Sequence, residues 1–435
     1  MKAVIKNILL LSLVLFANYF AQTKMTLDEA IKIALEKNYD IQLAKDDLLI
    51  GENNYSIGNA GFLPKVDVTA SKTRTVNNTK QEYSSGSSVD KKNAGSNSTN
   101  AGIALSWTIF DGLKMFISFS KLKEYKELGE IKLRAQIENS VFDVIKNYYD
   151  IVRQKQNYKS ALESVSISQE RLKIAEEKFS VGSASKLDVL RAQVDLNSDK
   201  SNLLNQEVTL NSLKISLNNL LSLPVENDFD VEDSIEIKED LSFQRIKELA
   251  FEKNTSLLQA EKLKIISAYD VNSTFTDYLP KISLSTGYNY LQSVADAGLV
   301  KSNKSYGYNY GISFSWNLFN GFNTQLAYEN AKINFDKNLI YLEAIKNDVD
   351  AAIVVAFKNY KKNLEILELE KTNVSVAKEN LELAIEELKL GSISPIEFRD
   401  IQKNYISAQS RLITAQFTAK VSESELLKQS GILRN

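Results

Sequence analysis

The chain contains no cysteine and no histidine among its 435 residues. Without thiols there is no disulfide, no thiolate nucleophile, no thiolate metal site and no cysteine for N-terminal lipidation. Without imidazole, every scheme that uses histidine as acid, base or ligand is excluded. Proline is scarce at 4 residues and glycine reaches only 16, so breakers are few and long uninterrupted helices are favoured. No stretch after the first 21 residues approaches the roughly 18 apolar residues of a membrane helix. The net charge of -2 offers no basic surplus for nucleic acid. A hydrophobic fraction of 43% with 25% charged residues fits a folded protein.

What is present begins with residues 1–21, which read as a secretory signal. Lys2 and Lys6 precede the apolar run Ile8 to Phe16, and Ala17 to Ala21 make a cleavage region. An exported chain without apolar helices can span a membrane only with strands.

The rest is duplicated. Ala34-Leu35-Glu36-Lys37-Asn38 returns as Ala250-Phe251-Glu252-Lys253-Asn254, and Phe62-Leu63-Pro64-Lys65 as Tyr278-Leu279-Pro280-Lys281. Ser106-Trp107 with Phe110-Asp111-Gly112 returns as Ser315-Trp316 with Phe319-Asn320-Gly321. Phe179-Ser180-Val181-Gly182-Ser183 returns as Leu388-Lys389-Leu390-Gly391-Ser392. Four landmarks in one order define two repeats, expected over 22–223 and 241–435, joined by an acidic linker at 224–240.

Each repeat opens with a helical stretch, Thr26 to Gly61 in the first. Thr26 and Glu29 form a capping-box pattern, and Pro64 or Pro280 ends the stretch. The apolar period then switches to two, predicting strands at 65–76, 101–110, 281–291 and 305–318. The clearest alternation runs Tyr306, Tyr308, Tyr310, Ile312, Phe314, Trp316, Leu318. Asn77 to Asn100 and Gln292 to Ser305 read as solvated loops. The pattern suits either an outer-membrane barrel strand or a soluble sheet with one buried face, and nothing else in the chain looks able to cover that face. In a barrel, Tyr306 to Trp316 would be an interfacial girdle.

From Gly112 to Gly182, and from Gly321 to Gly391, the chain shows proline-free heptad-like spacing, as in Val141, Val144, Tyr148, Ile151. Long helices are expected at 112–180 and 322–390, each about 100 Å, with return helices at 185–223 and 395–430. The fold class is therefore mostly α with a small β part, in two internal repeats of long antiparallel coiled-coil helices plus four strands. Four strands cannot close a barrel, so the chain must oligomerise; periodicity alone leaves dimer and trimer open.

The landmarks resemble the TolC family of outer-membrane efflux proteins over essentially the whole mature chain. The carrying residues are Leu27-x-Glu29-Ala30-Ile31-x-x-Ala34-Leu35-x-x-Asn38, Leu63-Pro64, Trp107-x-x-Phe110-Asp111-Gly112, Val181-Gly182 and Leu187-Asp188-Val189-Leu190-x-Ala192-Gln193. The resemblance implies a homotrimer with a shared 12-strand β-barrel in the outer membrane and a helical tunnel through the periplasm. It implies that the turns at Gly182 and Gly391, with Asp188, meet a periplasmic adaptor and an inner-membrane transporter. It implies that Glu397 and Asp400, three apart on one helical face, line the channel constriction. In the family a polar latch closes this end. Asp188 matches one partner, but Leu388 and Ile393 stand where a tyrosine and an arginine are usual, and Arg399 is a nearby substitute.

The implied function is a passive exit duct of a tripartite efflux or type I secretion system, with no cofactor, no metal and no catalysis. A surface-exposed structural or adhesive coiled-coil protein is the rival. A glycosidase using Glu397 and Asp400 is a distant third, since no concave domain is predicted to hold a sugar.

Overall fold

The computed structural model describes residues 24–433; the expected signal at 1–21 lies outside them. The helices of the first repeat are α1 (Leu27–Lys37), α2 (Tyr39–Asn54), α3 (Lys114–Ser180) and α4 (Lys186–Leu220). Those of the second are α5 (Phe243–Lys253), α6 (Thr255–Phe275), α7 (Asn323–Leu390) and α8 (Pro395–Gln429). Strands β1 (Lys65–Glu82) and β2 (Ser88–Phe110) belong to the first repeat, β3 (Lys281–Ala295) and β4 (Ser302–Ser315) to the second. The long helices α3 and α7 run unbroken for 67 and 68 residues. Among the described residues no helix is long and apolar enough to cross a membrane.

The opening stretch is two helices, not the single helix expected to Gly61, and asparagine decides where they meet. Asn38 leaves helical geometry at φ −59°, ψ 127°. Its side-chain oxygen accepts from the backbone N–H of Ile41 at 3.1 Å, capping α2, while its amide donates to the carbonyl of Leu220 at 2.8 Å. Asn254 repeats both bonds, accepting from Leu257 at 3.2 Å and donating to the carbonyl of Gln429 at 2.9 Å. The duplicated Glu-Lys-Asn motif thus caps one helix and satisfies the orphan carbonyls at the end of the return helix.

The strands form one antiparallel sheet ordered β1-β2-β3-β4. The loop expected over Asn77 to Asn100 is mostly strand: β1 pairs with β2 out to Glu82↔Ser88, with an irregularity at Asn77/Thr79. Alternation of apolar residues missed this extension because both of its faces are polar. The expected loop at 292–305 likewise shortens, since β3 reaches Ala295 and β4 starts at Ser302. β4 ends at Ser315, so Trp316 and Leu318 fall beyond it.

At each strand-to-helix junction two consecutive residues are left-handed: Gly112 (φ 74°) with Leu113 (φ 73°), and Gly321 (φ 69°) with Phe322 (φ 64°). A Cβ at Gly112 would meet the carbonyl oxygen of Thr276 at 2.7 Å. The residue before each glycine starts the helix with its side chain, Asp111 accepting from the N–H of Met115 at 3.2 Å and Asn320 from that of Thr324 at 3.3 Å. This is the physical content of the Phe-Asp/Asn-Gly motif.

The described residues cluster into two compact units, one of 24–46, 131–258 and 344–433, the other of 47–130 and 259–343. The repeats expected at 22–223 and 241–435 each run through both units rather than forming one apiece. In the first unit, Ala30, Ala34, Val144, Tyr148, Ile151, Leu217 and Phe229 form one buried cluster. The segment read as a linker is part of it. Phe229 and Val231 are buried, and Lys155 pairs with Asp230 at 2.6 Å and Asp233 at 2.9 Å. Burial opposes the charge on Lys155, yet hydrogen bonds to both aspartates raise its pKa. Tyr148 donates to the carbonyl of Met25 at 3.0 Å, and Tyr360 to that of Lys238 at 2.5 Å.

In the second unit the segment before β1 packs on α3 through aromatic rings and is tied to β2 by tryptophan. Phe62 packs edge-on to Phe116 at 5.0 Å, and Tyr55 stacks on Phe119 at 4.7 Å. Trp107 donates to the carbonyl of Phe62 at 2.8 Å and Trp316 to that of Tyr278 at 3.0 Å, so the two repeats use the same bond.

Replacing Asn38 or Asn254 by alanine removes a cap and leaves a half-buried carbonyl without its donor. Each change is expected to lower stability by about 1–3 kcal/mol, read as a lower thermal midpoint by circular dichroism. Serine, which keeps the cap but cannot reach the second carbonyl, should recover only part.

Candidate functional site

The two hairpin turns are built identically. At the first, Ser183 donates its backbone N–H to the carbonyl of Lys178 at 2.8 Å and Gly182 to that of Phe179 at 3.0 Å. At the second, Ser392 donates to Glu387 at 2.9 Å and Gly391 to Leu388 at 3.2 Å. These paired bonds close a helix through a left-handed residue, and Gly182 (φ 77°) and Gly391 (φ 79°) supply it without a Cβ penalty. Three residues further on, Ser185 and Ser394 accept from the backbone N–H of Asp188 and Glu397, starting the return helices. Lys178 joins the turns by donating to the carbonyl of Leu388 at 2.6 Å. That places a cation at the C-terminal end of α7, where the helix dipole favours it.

Asp188 closes a capping box, accepting from the N–H of Ser185 at 3.1 Å and its hydroxyl at 2.6 Å. Those bonds, the hydroxyl first, hold its carboxyl below the ordinary value. Asp188 therefore serves its own helix rather than bridging to α8. Glu397 and Asp400 stand exposed on the first turns of α8.

The positions where this chain departs from the TolC pattern are apolar for a reason. Leu388 is buried with Leu381, Ala384, Phe398 and Tyr405, and Ile393 packs against them. Dispersion and burial hold α7 to α8 at the level where a polar latch was sought.

The polar link lies deeper. Arg399 makes a two-pronged bond to Asp199, Nη1 to Oδ2 at 2.8 Å and Nη2 to Oδ1 at 2.9 Å. Its Nε lies 3.7 Å from Asp195, which also pairs with Arg171 at 2.5 Å. The hydroxyl of Ser168 donates to Asp199, and Gln402 donates to Ser168 at 3.0 Å and to the carbonyl of Ser164 at 3.3 Å. One turn further, Tyr405 donates to Glu163 at 3.0 Å. Burial, followed by the Glu163 carboxylate, pushes the Tyr405 phenol up to about 12. Arg399 and Asp199 expose only 11% and 12% of their side chains, so this is a largely desolvated pair. Burial opposes the charge on Arg399, but Asp199 raises its pKa above the ordinary value. Arg399 thus bridges α8 to α4 as the nearby substitute, with partners two and three turns beyond Asp188. Arg171, Asp195, Asp199, Ser168 and Gln402 were missed from sequence. Their one signal was polar residues at three- and four-residue spacing within otherwise apolar seams.

A groove of about 440 Å³ opens beside this network, lined by Leu187, Asp188, Leu190, Val194, Ile396 and Asp400 among others. Among the described residues no group of three or more Asp or Glu is placed to hold a metal ion.

Paired hairpins ending in matched turns, each continuous with two strands of an apolar-faced sheet, define an outer-membrane channel protomer. The chain belongs to the outer membrane efflux protein family, whose profile matches residues 30–223 and 247–431. It is 18% identical over 417 residues to the outer membrane efflux protein BepC of Brucella suis biovar 1, covering 93% of this chain and 85% of that protein. It is 21% identical over 340 residues to the outer membrane protein TolC of Vibrio cholerae, covering 77% of each. The crystal structure of the CmeC outer membrane channel of Campylobacter jejuni superposes with a TM-score of 0.75 at 18% identity, covering 93% of this chain and 85% of that one. The chain is an outer-membrane efflux channel that extends into the periplasm, and members of its family are channels. The surface-adhesion reading is not supported.

Arg399→Gln is expected to loosen the first turns of α8, because removing one partner of a buried pair costs about 3–5 kcal/mol. Amide exchange over 395–405 should accelerate while α1 stays protected. Adding Asp199→Asn should restore part of the protection, since the orphaned charge is then gone.

Proposed function

We propose that three copies assemble into one passive export duct. The observation that carries this is the sheet: four strands, an apolar and aromatic face exposed along β4, and free edges on β1 and β4. Unpaired backbone is not tolerated in lipid, so β4 of one copy pairs with β1 of the next until the wall closes. Twelve strands leave a pore where eight would be filled by side chains. The residues on the inner face of β4, Gly307, Asn309, Gly311 and Ser313, are small and polar, which supports a wet lumen. Residues 22–223 and 241–435 act as the duplicated units of each wall segment.

The hairpin turns at Gly182 and Gly391, with Asp188, contact a periplasmic adaptor, and through it an inner-membrane transporter supplies the energy. The chain performs no catalysis. Glu397 and Asp400 face the axis, so that three copies present six carboxylates around one constriction, which favours cations. Arg399 with Asp199 and Asp195 holds the return helix α8 against α4 in the closed duct. The exposure of Glu397 and Asp400, set against the burial of Arg399, supports this division of roles.

Planar-bilayer recording of purified protein tests the reading, with oligomeric state checked by native mass spectrometry. Glu397→Ala with Asp400→Ala should reduce cation preference or raise leak conductance several-fold, and Arg399→Gln should raise leak with selectivity kept. A protein that is monomeric in detergent and never conducts would refute the duct; unchanged selectivity in the double variant would remove the carboxylates from the constriction.

A further inference from the structure

The register of the sheet sorts its residues into rows, and one row is out of character with the rest of the lipid-facing side. The apolar face comprises Val66, Val68 and Ala70 of β1, Ile103, Leu105 and Trp107 of β2, Ile282, Leu284, Tyr288 and Tyr290 of β3, and Tyr306 to Phe314 at even positions of β4. Pairing aligns Ala70, Ala101, Tyr290 and Tyr306 in its last row. The band from the Ile282/Phe314 row to this one measures about 27 Å along the strands, or about 20 Å at a barrel tilt of about 40°. Trp107 and Trp316 sit towards its helical border.

The next row on the same face is Lys72, Thr99, Gln292 and Lys304, and the one beyond is Arg74, Asn97, Val294 and Ser302. Lys72, Arg74 and Lys304 are all exposed. The Lys304 ammonium lies 5.6 Å from the centre of the Tyr290 ring and 5.8 Å from that of Tyr306, at the edge of the apolar band. From the Ile282/Phe314 row to the Arg74 row no carboxylate lies on this face; Asp67 points to the other side, and Glu82 and Asp90 come only further along the hairpin. Three cations therefore stand where the aromatic band gives way to polar residues, in a chain whose net charge is -2. Cations there snorkel out of the apolar layer towards headgroups, and the threonine and glutamine between them add hydrogen bonds for phosphate oxygens.

We infer that Lys72, Arg74 and Lys304 form a headgroup-binding band that holds phosphates of anionic lipids in the outer leaflet. This rests on reading the sheet as part of a closed, lipid-facing barrel, because only then does this face meet lipid. In that barrel β4 of one copy adjoins β1 of the next, so Lys304 and the neighbour's Lys72 and Arg74 flank the seam between copies.

The experiment reconstitutes the full chain into phosphatidylcholine vesicles with or without phosphatidylglycerol, and native mass spectrometry counts the lipids retained on the released trimer. The wild type should retain phosphatidylglycerol in preference to phosphatidylcholine. Lys72→Gln, Arg74→Gln and Lys304→Gln together should lower that retention at least about fivefold. Arginine at 72 and 304 should preserve it. A control with Lys80→Gln and Lys92→Gln, exposed cations beyond these rows, should retain lipid as the wild type does. Equal retention in the triple variant overturns the site, and so does an equal loss in the control, which would mean diffuse attraction. Displacement by inorganic phosphate but not by chloride of equal ionic strength would reassign it to free phosphate. A wild type that fails to insert into any vesicle brings down the barrel reading itself, an outcome separate from the others.

Discussion

Backbone hydrogen bonds that lipid cannot supply are the constraint on which everything else depends. A chain with four strands has two sheet edges, and in water those edges are a hazard, whereas in hydrocarbon they are forbidden. The proposed duct resolves this by sharing one wall among copies of the chain. In that proposed wall every feature on the strands and helices is placed once per copy, including the carboxylates of α8 and the cations beyond Tyr290 and Tyr306.

The duplicated landmarks turn out to be duplicated hydrogen bonds. Asn38 and Asn254 bond to the ends of two return helices. Asp111 and Asn320 start the two long helices, Trp107 in β2 and Trp316 just past β4 make the same bond, and Gly182 and Gly391 close two turns. What recurs in the sequence is therefore a set of termini. The helix and strand interiors between them need only keep an apolar period, and they diverge freely.

The hairpin ends show two solutions to the problem of holding long helices together. Around Leu388, Ile393 and Phe398 the contact is apolar. Around Arg399, Asp199 and Gln402 it is polar and largely dry, so partners must match or the cost is several kcal/mol. A polar contact of that kind has two well-separated states, bonded and broken, which supports the closing role proposed for Arg399.

The sequence by itself determined the period of each segment, the two-fold duplication, the turn glycines and the excess of apolar residues on one strand face, because these are local and each residue announces them. It also carried the family resemblance. It did not determine how far β1 and β2 extend, since a strand polar on both faces has no alternation to read and is found only through its partner. Nor did it reveal that the acidic segment buries Phe229 and Val231, or that Arg399 reaches past Asp188 to Asp195 and Asp199. Those depend on which faces of α3, α4 and α8 meet, and a helix surface of many charged residues does not say which of them will be turned inward. Only packing in three dimensions removes water from one pair and leaves it around the rest.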